Sequence, residues 1–250
     1  MAAVTLDVAQ RVLISGAAGG IGGALADKLI DAGGHVIGTD RHAADSHWRG
    51  QQWLTADLGN RAGRDAIAAG IDGTLDGLVF AAGILDAADW QSIDEDAAAD
   101  LLAINLTAPL FLTRALLPRL AKDSSIVIIG SIAGLRGSPA TPLYAASKAG
   151  LRNLAASLAL LLQPHGIRVN VVAPGLIDTP LTAGLNAELA QRRNTSVAVI
   201  EAERAAPIPL GRAGTSDEVA DACLYLLSRQ SAYVTGSTLF ATGGVLAGMI

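Results

Sequence analysis

Two ionisable side chains stand four residues apart in the segment Tyr144-Ala145-Ala146-Ser147-Lys148. On a helix, residues with this spacing share one face, so the phenol and the ammonium would be neighbours. A phenol with a pKa of about 10 is a poor base at neutral pH, but a neighbouring positive charge favours its ionised form. The pair therefore predicts a group that exchanges a proton with a substrate oxygen.

A glycine-rich turn follows the first apolar segment of the chain and precedes a helical pattern. Glycines allow the backbone to turn sharply and to approach a pyrophosphate, while the next helix directs its free N–H groups at that anion. An ordinary tight turn is the alternative, because such a loop alone is a weak signal. We expect the following residues to contact a dinucleotide: Ser15, Gly16, Gly19, Gly20, Ile21 and Gly22.

An acidic residue, Asp40, ends the second predicted strand about 20 residues after this loop. A carboxylate there accepts hydrogen bonds from ribose hydroxyls and repels a 2′-phosphate, which favours NAD over NADP. Arg41 follows directly and is able to pair with a 2′-phosphate, so it is kept as a second cofactor contact. Further contacts with the adenine and its ribose are expected after the third and fourth strands, at Asp57, Leu58, Ala81, Ala82 and Gly83.

Short apolar segments alternate with longer helical patterns along almost the whole chain. We predict strands at 12–15, 35–39, 52–56, 77–81, 126–130, 168–172 and 238–241, and helices at 21–32, 94–120, 144–163 and 216–227. This alternation is typical of an α/β protein with a doubly wound parallel sheet of about seven strands, covered by helices on both faces. One dinucleotide-binding domain over residues 1–250 is expected.

A polar, loosely helical stretch at 176–210 interrupts this alternation and contains three prolines. Long excursions that leave the end of a strand are usually functional loops. We interpret this stretch as a substrate loop.

The bulk composition excludes several classes of function. The net charge of −5, without any basic run, argues against nucleic acid as a partner. The single cysteine, Cys223, cannot form an internal disulfide, and no Cys/His cluster predicts a metal site. The apolar run at 154–162 is too short to span a membrane, and the N-terminus lacks the order of a secretory signal. We expect a soluble, cytoplasmic protein with no metal.

The sequence resembles the classical short-chain dehydrogenases/reductases over essentially all of its length. The resemblance is carried by the glycine loop and by the pair at Tyr144 and Lys148. It extends to Asn105 in a predicted helix, to Ser131 after the fifth strand, and to Pro174-Gly175-Leu176-Ile177-Asp178-Thr179-Pro180.

The resemblance implies roles for these residues. Tyr144 would act as acid and base, Ser131 would orient the reacting oxygen, and Lys148 would lower the tyrosine pKa and bind the nicotinamide ribose. Asn105 would anchor a water in a proton relay. Pro174, Gly175, Ile177 and Thr179 would hold the nicotinamide, and a homotetramer would form.

Analogy of position also predicts a largely apolar substrate pocket, which suits a hydrophobic secondary alcohol better than a sugar or a charged acid. Its predicted lining is Ile84, Leu85, Ser131, Ile132, Ala133, Leu143, Tyr144, Leu176, Leu181 and Leu185.

We therefore expect an NAD-dependent oxidoreductase that interconverts a hydrophobic secondary alcohol, including cyclic alcohols and dihydrodiols, with the ketone. A 3-oxoacyl-thioester or other ketone reductase would share all of these catalytic residues. A nucleotide-sensing protein without catalysis is the alternative of a different class, because a fold does not determine a function.

Overall fold

A single sheet of parallel strands forms the centre of the protein in a computed structural model, which describes residues 10–85, 91 and 93–247. The strands are β1 (Arg11–Ser15), β2 (His35–Asp40), β3 (Gln52–Thr55), β4 (Leu75–Phe80), β5 (Leu120–Ile129), β6 (Arg168–Pro174) and β7 (Thr238–Ala241). Their order across the sheet is β3-β2-β1-β4-β5-β6-β7. Every neighbouring pair is parallel, so all carboxyl ends lie on one edge.

Helices connect the strands and cover both faces of the sheet. They are α1 (Gly20–Asp31), α2 (Arg61–Ala69), α3 (Glu95–Leu102), α4 (Ala108–Leu116), α5 (Pro142–Leu162), α6 (Pro180–Arg192), α7 (Val197–Ala205) and α8 (Ser216–Leu227). One π-helical turn, Ala103–Thr107, joins α3 to α4. Short 3₁₀ turns cover Leu117–Arg119, Ile132–Leu135, Gln163–His165 and Arg229–Ser231.

Two apolar cores lie on opposite faces of the sheet. Successive side chains of a strand point to opposite faces, so Leu13 contributes to one core while Val12 and Ile14 contribute to the other. The first core also contains residues of α4 and α5, and the second contains residues of α1 and α8. The predicted doubly wound parallel sheet is confirmed.

The elements between β3 and β5 differ most from the sequence-based expectation. The predicted helix at 94–120 is divided by the π turn and ends in a 3₁₀ turn, and Leu120 already belongs to β5. Pro118 explains the early end, because proline cannot continue the hydrogen-bond ladder of a helix. Helix α2 was not predicted, because it is short and largely polar and Ile67 is its only fully buried residue.

The stretch at 176–210 is more ordered than the expected loop, because it contains the two helices α6 and α7. Each begins at a side-chain cap: Thr179 accepts a hydrogen bond from the Thr182 N–H, and Ser196 accepts one from the Val199 N–H. These helices place a second layer of side chains above the carboxyl edge of the sheet.

One helical stretch, Glu95–Arg119, is long and apolar enough by length and composition to cross a membrane, with a mean hydropathy of 1.5. Leu101, Leu112 and Leu116 of this stretch are fully buried inside the domain. Packing in the core therefore accounts for part of its apolar character.

Candidate functional site

The glycine turn between β1 and α1 lies in tight contact with the segment that follows β4. Gly16 has a φ of +73°, a conformation that favours glycine. A Cβ atom at Gly16 would lie only 2.4 Å from the backbone nitrogen of Ala82. The turn and the β4 end can approach each other only because this residue lacks a side chain.

Two further glycines allow close packing around the start of α1. A Cβ atom at Gly22 would lie 2.2 Å from the Gly16 carbonyl oxygen, and one at Gly20 would lie 2.8 Å from the Ser216 Oγ. The cap residue Gly19 has no side chain to accept the first N–H groups of α1, and Ile21 lies within this first turn. The turn therefore fits a pyrophosphate, which free N–H groups and the positive helix end attract.

Ser15 lies at the end of β1, directly before this turn, and is fully buried. Its hydroxyl has no hydrogen-bond partner among the described residues. Its carbonyl oxygen accepts a hydrogen bond from the Ala81 N–H at 3.0 Å. Ser15 thus connects the first strand to the β4 end and lies beneath the surface of the crevice.

Asp40 and Arg41 lie at the carboxyl end of β2, two strands from β4. The Asp40 carboxylate is half-buried and accepts a hydrogen bond from the His42 N–H at 3.2 Å. Arg41 is exposed, and its Nε lies 3.1 Å from the His42 Nε2. The acidic group therefore lies closer to the sheet than the basic one, in the position expected for recognition of a ribose.

Asp57 and Leu58 follow β3, and local contacts occupy both. The Asp57 carboxylate accepts hydrogen bonds from the Gly59 N–H and the Asn60 Nδ2, each at 2.8 Å. Leu58 is buried in the core on the α4 and α5 side, and its carbonyl oxygen accepts a bond from Arg64. This side chain packs inside the protein, so only the backbone of Leu58 is available to an adenine.

The segment Ala81-Ala82-Gly83 after β4 connects the glycine turn to the polar residues further along the sheet. A Cβ atom at Gly83 would lie 3.4 Å from the Asn105 Oδ1 and 3.6 Å from the Lys148 Nζ. Gly83, Asn105 and Lys148 are therefore adjacent. The predicted cofactor segment and two predicted catalytic side chains meet at this point.

Asn105 lies in the π turn and is only 1% exposed. Its Oδ1 accepts a hydrogen bond from the Ile84 N–H at 2.9 Å, and its Nδ2 donates to the Ile84 carbonyl at 2.8 Å. The Nδ2 also lies 3.3 Å from the Ser147 Oγ, which donates to the Tyr144 carbonyl. Asn105 thus ties the β4 end to α5, and a π turn is a frequent feature of functional sites.

Ser131, Tyr144 and Lys148 come together where β5 ends and α5 begins. Lys148 lies 5.6 Å from the centre of the Tyr144 ring and donates a hydrogen bond to the Ile129 carbonyl at 2.9 Å. The Ser131 side chain accepts a bond from the Ala133 N–H at 3.1 Å. The expectation that Tyr144 and Lys148 share one helical face is thus supported by their proximity.

Burial dominates the ionisation of this pair. Burial raises the pKa of Tyr144, and a polar interaction with the Ser131 side chain lowers it to a smaller extent. Burial also lowers the pKa of Lys148 from 10.5 to about 8. The expected lowering of the tyrosine pKa by Lys148 does not appear in the protein alone, because desolvation opposes both charged forms. Burial therefore favours the protonated phenol at neutral pH.

The segment 174–179 forms the opposite side of the crevice. Ile177 is buried and forms a β-bridge with Gly214. In this bridge the Gly214 N–H donates to the Leu176 carbonyl and the Asp178 N–H donates to the Gly214 carbonyl, both at 2.9 Å.

Thr179 caps α6, and its Cγ2 would lie 3.3 Å from a Cβ atom at Gly20. Pro174 ends β6, and the Gly175 N–H bonds to the Ala241 carbonyl at 2.9 Å. Thr179 therefore faces the glycine turn.

A cavity of about 800 Å³ adjoins the Ser131 and Tyr144 side chains. Its lining includes most residues of the predicted pocket, namely Leu85, Ser131, Ile132, Ala133, Tyr144, Leu176, Leu181 and Leu185. Leu143 and Ile84 are not part of the lining. The adjacent residues of a helix point in directions about 100° apart, so Leu143 cannot share the direction of Tyr144.

Sequence reasoning missed several lining residues of this cavity. Arg136 contributes from the loop after the Ile132–Leu135 turn, and Arg204 contributes from α7. Val245 and Leu246 reach it from the C-terminal segment. Isolated arginines and apolar residues carry no motif, so only the folded arrangement identifies them.

The chain is similar to known proteins over almost its whole length. A family model described as Enoyl-(Acyl carrier protein) reductase matches residues 16–246. The chain is 34% identical to the trans-4-hydroxycyclohexanecarboxylate dehydrogenase of Sinomonas cyclohexanicum, with 99% of this chain and 97% of that protein covered. It is 34% identical to the 3-oxoacyl-(acyl-carrier-protein) reductase FabG of Vibrio cholerae, with 93% and 96% covered.

A solved structure agrees with these relatives. The short chain dehydrogenase family protein from Francisella tularensis superposes with a TM-score of 0.90 at 28% identity and covers 95% of this chain and 99% of that one. A parallel sheet with a ligand crevice at its carboxyl edge is the architecture of dinucleotide-binding α/β proteins.

The phenol beside the crevice and the relatives' activities together define an oxidoreductase of the alcohol dehydrogenase or ketoreductase class. The chain belongs to the short-chain dehydrogenase/reductase family, whose members use nicotinamide cofactors.

Proposed function

We propose that this protein is an NAD-dependent dehydrogenase that interconverts a hydrophobic secondary alcohol, cyclic alcohols included, with the corresponding ketone. The observation that carries the proposal is the position of Tyr144 and Ser131 in the wall of a largely apolar cavity, with Lys148 one helical turn away. The relative from Sinomonas cyclohexanicum, named for a hydroxycyclohexanecarboxylate, supports a ring-bearing substrate.

The chemistry assigns one task to each polar side chain. The Tyr144 hydroxyl exchanges the proton of the substrate oxygen, and the Ser131 hydroxyl hydrogen-bonds the same oxygen and orients it. Lys148, held by the Ile129 carbonyl, supplies the positive charge that favours the phenolate. NAD supplies the acceptor of the hydride when it is bound. Asn105 acts through its bonds to Ile84 and Ser147, which position the β4 end against α5.

Cofactor contacts are proposed along the carboxyl edge of the sheet. The α1 N-terminus would receive the pyrophosphate, Asp40 the adenosine ribose, and the segment around Thr179 the nicotinamide. A carboxylate at Asp40 disfavours the extra phosphate of NADP by charge repulsion. Oxidation of the alcohol would be the physiological direction with NAD.

The cofactor preference is tested by initial rates with NAD and NADP at equal concentration. We expect NAD to be preferred, and Asp40→Ala to reduce the ratio of kcat/KM for NAD over NADP by about 10- to 100-fold, equivalent to about 1.4–2.8 kcal/mol. Asp45→Ala, a change in the exposed loop after β2, serves as the matched control. A wild-type preference for NADP would contradict the proposal.

A 3-oxoacyl-thioester reductase is the second candidate, and the similarity to the Vibrio cholerae reductase favours it. The two activities share the same proton-transfer residues, so the catalytic centre does not separate them. Reduction of an acyl thioester with NADH or NADPH, compared with oxidation of cyclic secondary alcohols, distinguishes the two. A higher kcat/KM for the thioester would select the second candidate.

A cytoplasmic homotetramer is proposed as the working form. Leu160 and Leu161 at the end of α5 are 80% and 66% exposed, which supports burial of this helix against another copy. Cys223 is fully buried with its pKa raised to about 12 by that burial, so it would be inert in a reducing compartment. Sedimentation of the wild type and of a Leu160→Glu variant tests the assembly. A monomeric wild type would contradict it.

A further inference from the structure

Two arginines, Arg136 and Arg204, line the cavity that also contains Tyr144. Among the described lining residues there is no aspartate or glutamate. The cavity that looks largely apolar in the sequence therefore carries a positive charge next to its leucines.

Arg204 is half-buried and lacks an acidic partner. Among the described residues its guanidinium makes one hydrogen bond, from Nη1 to the Asn186 Oδ1, a neutral acceptor on α6. No carboxylate lies within ion-pair distance of Arg204 in the described part of the chain, whereas the neighbouring arginines of α6 and of the turn after it, Arg192 and Arg193, pair with Glu188 and Glu203.

A partly desolvated cation without an anion is unfavourable, so such groups usually have a charged partner. Burial lowers the pKa of Arg204, which reports the same desolvation. A guanidinium has five N–H donors in a planar fork, and only one of them is used here. The remaining donors match the two oxygens of a carboxylate.

The residue that orients Arg204 is itself buried in the fold. Asn186 is 4% exposed, and it fixes the guanidinium from the helix that packs against α7. Arg136 is exposed, so its charge acts mainly by raising the positive potential of the cavity.

We propose that Arg204, oriented by Asn186, binds the carboxylate of the substrate, so that the preferred substrate is a hydrophobic alcohol that also carries a carboxylate. This inference rests on the proposed function and specifies its substrate class. Arg204 would set specificity, while proton transfer would remain with Tyr144. The helices α6 and α7 would then serve to supply this cation as well as to cover the cavity.

The test compares a hydroxycycloalkane carboxylate with its methyl ester, which has nearly the same shape and no charge. For Arg204→Met we expect kcat/KM for the acid to fall by about 10- to 100-fold, the usual value of a hydrogen bond to a charged group, with the ester within about threefold of wild type. Arg204→Lys should retain part of the preference, because it keeps the charge and loses the fork.

Arg192→Met is the matched control, since it removes a surface guanidinium of α6 outside the cavity. It should leave kcat/KM for both the acid and the ester unchanged. Equal losses of kcat/KM for acid and ester in both Arg204 variants would indicate a structural role and overturn the inference. An unchanged kcat/KM for the acid in Arg204→Met would also overturn it. Thermal unfolding of each variant checks that the fold is retained.

A separate measurement distinguishes failure of the inference from failure of the proposed dehydrogenase activity. Titration calorimetry with cyclohexanecarboxylate, which has no alcohol to oxidise, measures anion binding in the presence of NAD. Binding by the wild type that Arg204→Met weakens about 10-fold or more supports the anion site even if no alcohol is turned over. Equal binding by both proteins, or no binding by the wild type, overturns it.

Discussion

The crevice has two halves that are built in opposite ways. In the first, from β1 to β2, the proposed cofactor turn depends on close backbone packing that the absence of side chains at Gly16, Gly20 and Gly22 permits. In the second, around β5, α5 and α7, it is made by polar and charged side chains held in partly or fully buried positions. The first half depends on backbone geometry, while the second retains groups whose burial opposes stability.

The difference predicts that substitutions in the two halves act on different quantities. Added atoms in the first half should affect folding and nucleotide binding together. Removed charges in the second half should reduce catalysis or specificity while leaving the fold intact or more stable, as is common for functional sites.

Tyr144→Phe should show the largest effect. Removing the phenolic oxygen deletes the proton acceptor, and we expect kcat to fall by about 1000-fold, within the range of general acid–base catalysis. The affinity for NAD should stay within about threefold, because the aromatic ring remains. Initial rates followed by NADH absorbance and titration calorimetry with NAD measure the two quantities. Tyr233→Phe, at a fully exposed site, is the control. A Tyr144→Phe variant with normal turnover would show that Tyr144 does not carry out the proton transfer.

Gly16→Ala should be the strongest change in the first half. The new methyl group would meet the Ala82 backbone at 2.4 Å in a conformation with φ of +73°, so the turn must move. We expect NAD affinity to fall by about 100-fold or more, together with a loss of about 1–3 kcal/mol in the free energy of unfolding.

The matched change for this test is Gly23→Ala, one turn into α1, where a Cβ atom would lie 3.5 Å from the Ala17 carbonyl, an ordinary contact. Alanine is the better helix former, so stability should rise by up to about 1 kcal/mol with NAD binding retained. Urea unfolding and calorimetry compare the two variants. Equal behaviour of both would break the steric account of this half.

Lys148→Met should separate stability from activity in the second half. The pKa of Lys148 is lowered from 10.5 to about 8 by burial, which corresponds to about 3 kcal/mol of cost to the charged form at pH 7. Loss of the bond to the Ile129 carbonyl costs about 1 kcal/mol. We therefore expect a net gain of about 2 kcal/mol in the free energy of unfolding at pH 7, with turnover lost.

The stability gained by Lys148→Met should depend on pH. Between about pH 8 and 10.5 the unfolded chain binds more protons at Lys148 than the folded one, so wild-type stability should rise with pH over that interval. The advantage of Lys148→Met should shrink over the same interval. Lys122→Met, at an exposed lysine of β5, should stay within about 0.5 kcal/mol of wild type. A destabilised Lys148→Met protein at pH 7 would show that the buried charge is not a cost.

The parts of the fold that follow a strong apolar period could be predicted from the sequence. Strands buried on both faces contain short apolar runs, such as residues 12–14 of β1 and 78–80 of β4, and their order agrees with an α/β sheet. Helix α2 was missed because it is short and largely polar, although Asn60 at its start caps it by accepting a bond from the Gly63 N–H. The π turn that divides 94–120 is followed directly by α4, whose second residue, Pro109, has no N–H to donate to a continuous helix.

The candidate site, like the fold, could be predicted from the sequence only where local patterns determine it. The glycine turn and the Tyr144 to Lys148 spacing are local patterns, and each constrains the backbone or the helical face strongly enough to be recognised. Arg204 meets Asn186 and Tyr144 only through the packing of α6 and α7 over the sheet. The ionisation of Tyr144 also could not be read from spacing, because it depends on the burial that raises its pKa.

Transfer of deuterium to the cofactor tests the central claim most directly. The protein would be incubated with NAD and a cyclic secondary alcohol that carries deuterium at the carbinol carbon, and the reduced cofactor would be analysed by mass spectrometry. The account predicts NADH with one deuterium in amounts equal to the ketone, and about 1000-fold slower formation by Tyr144→Phe. Reduced cofactor without the label, or ketone formed equally fast by both proteins, would contradict it.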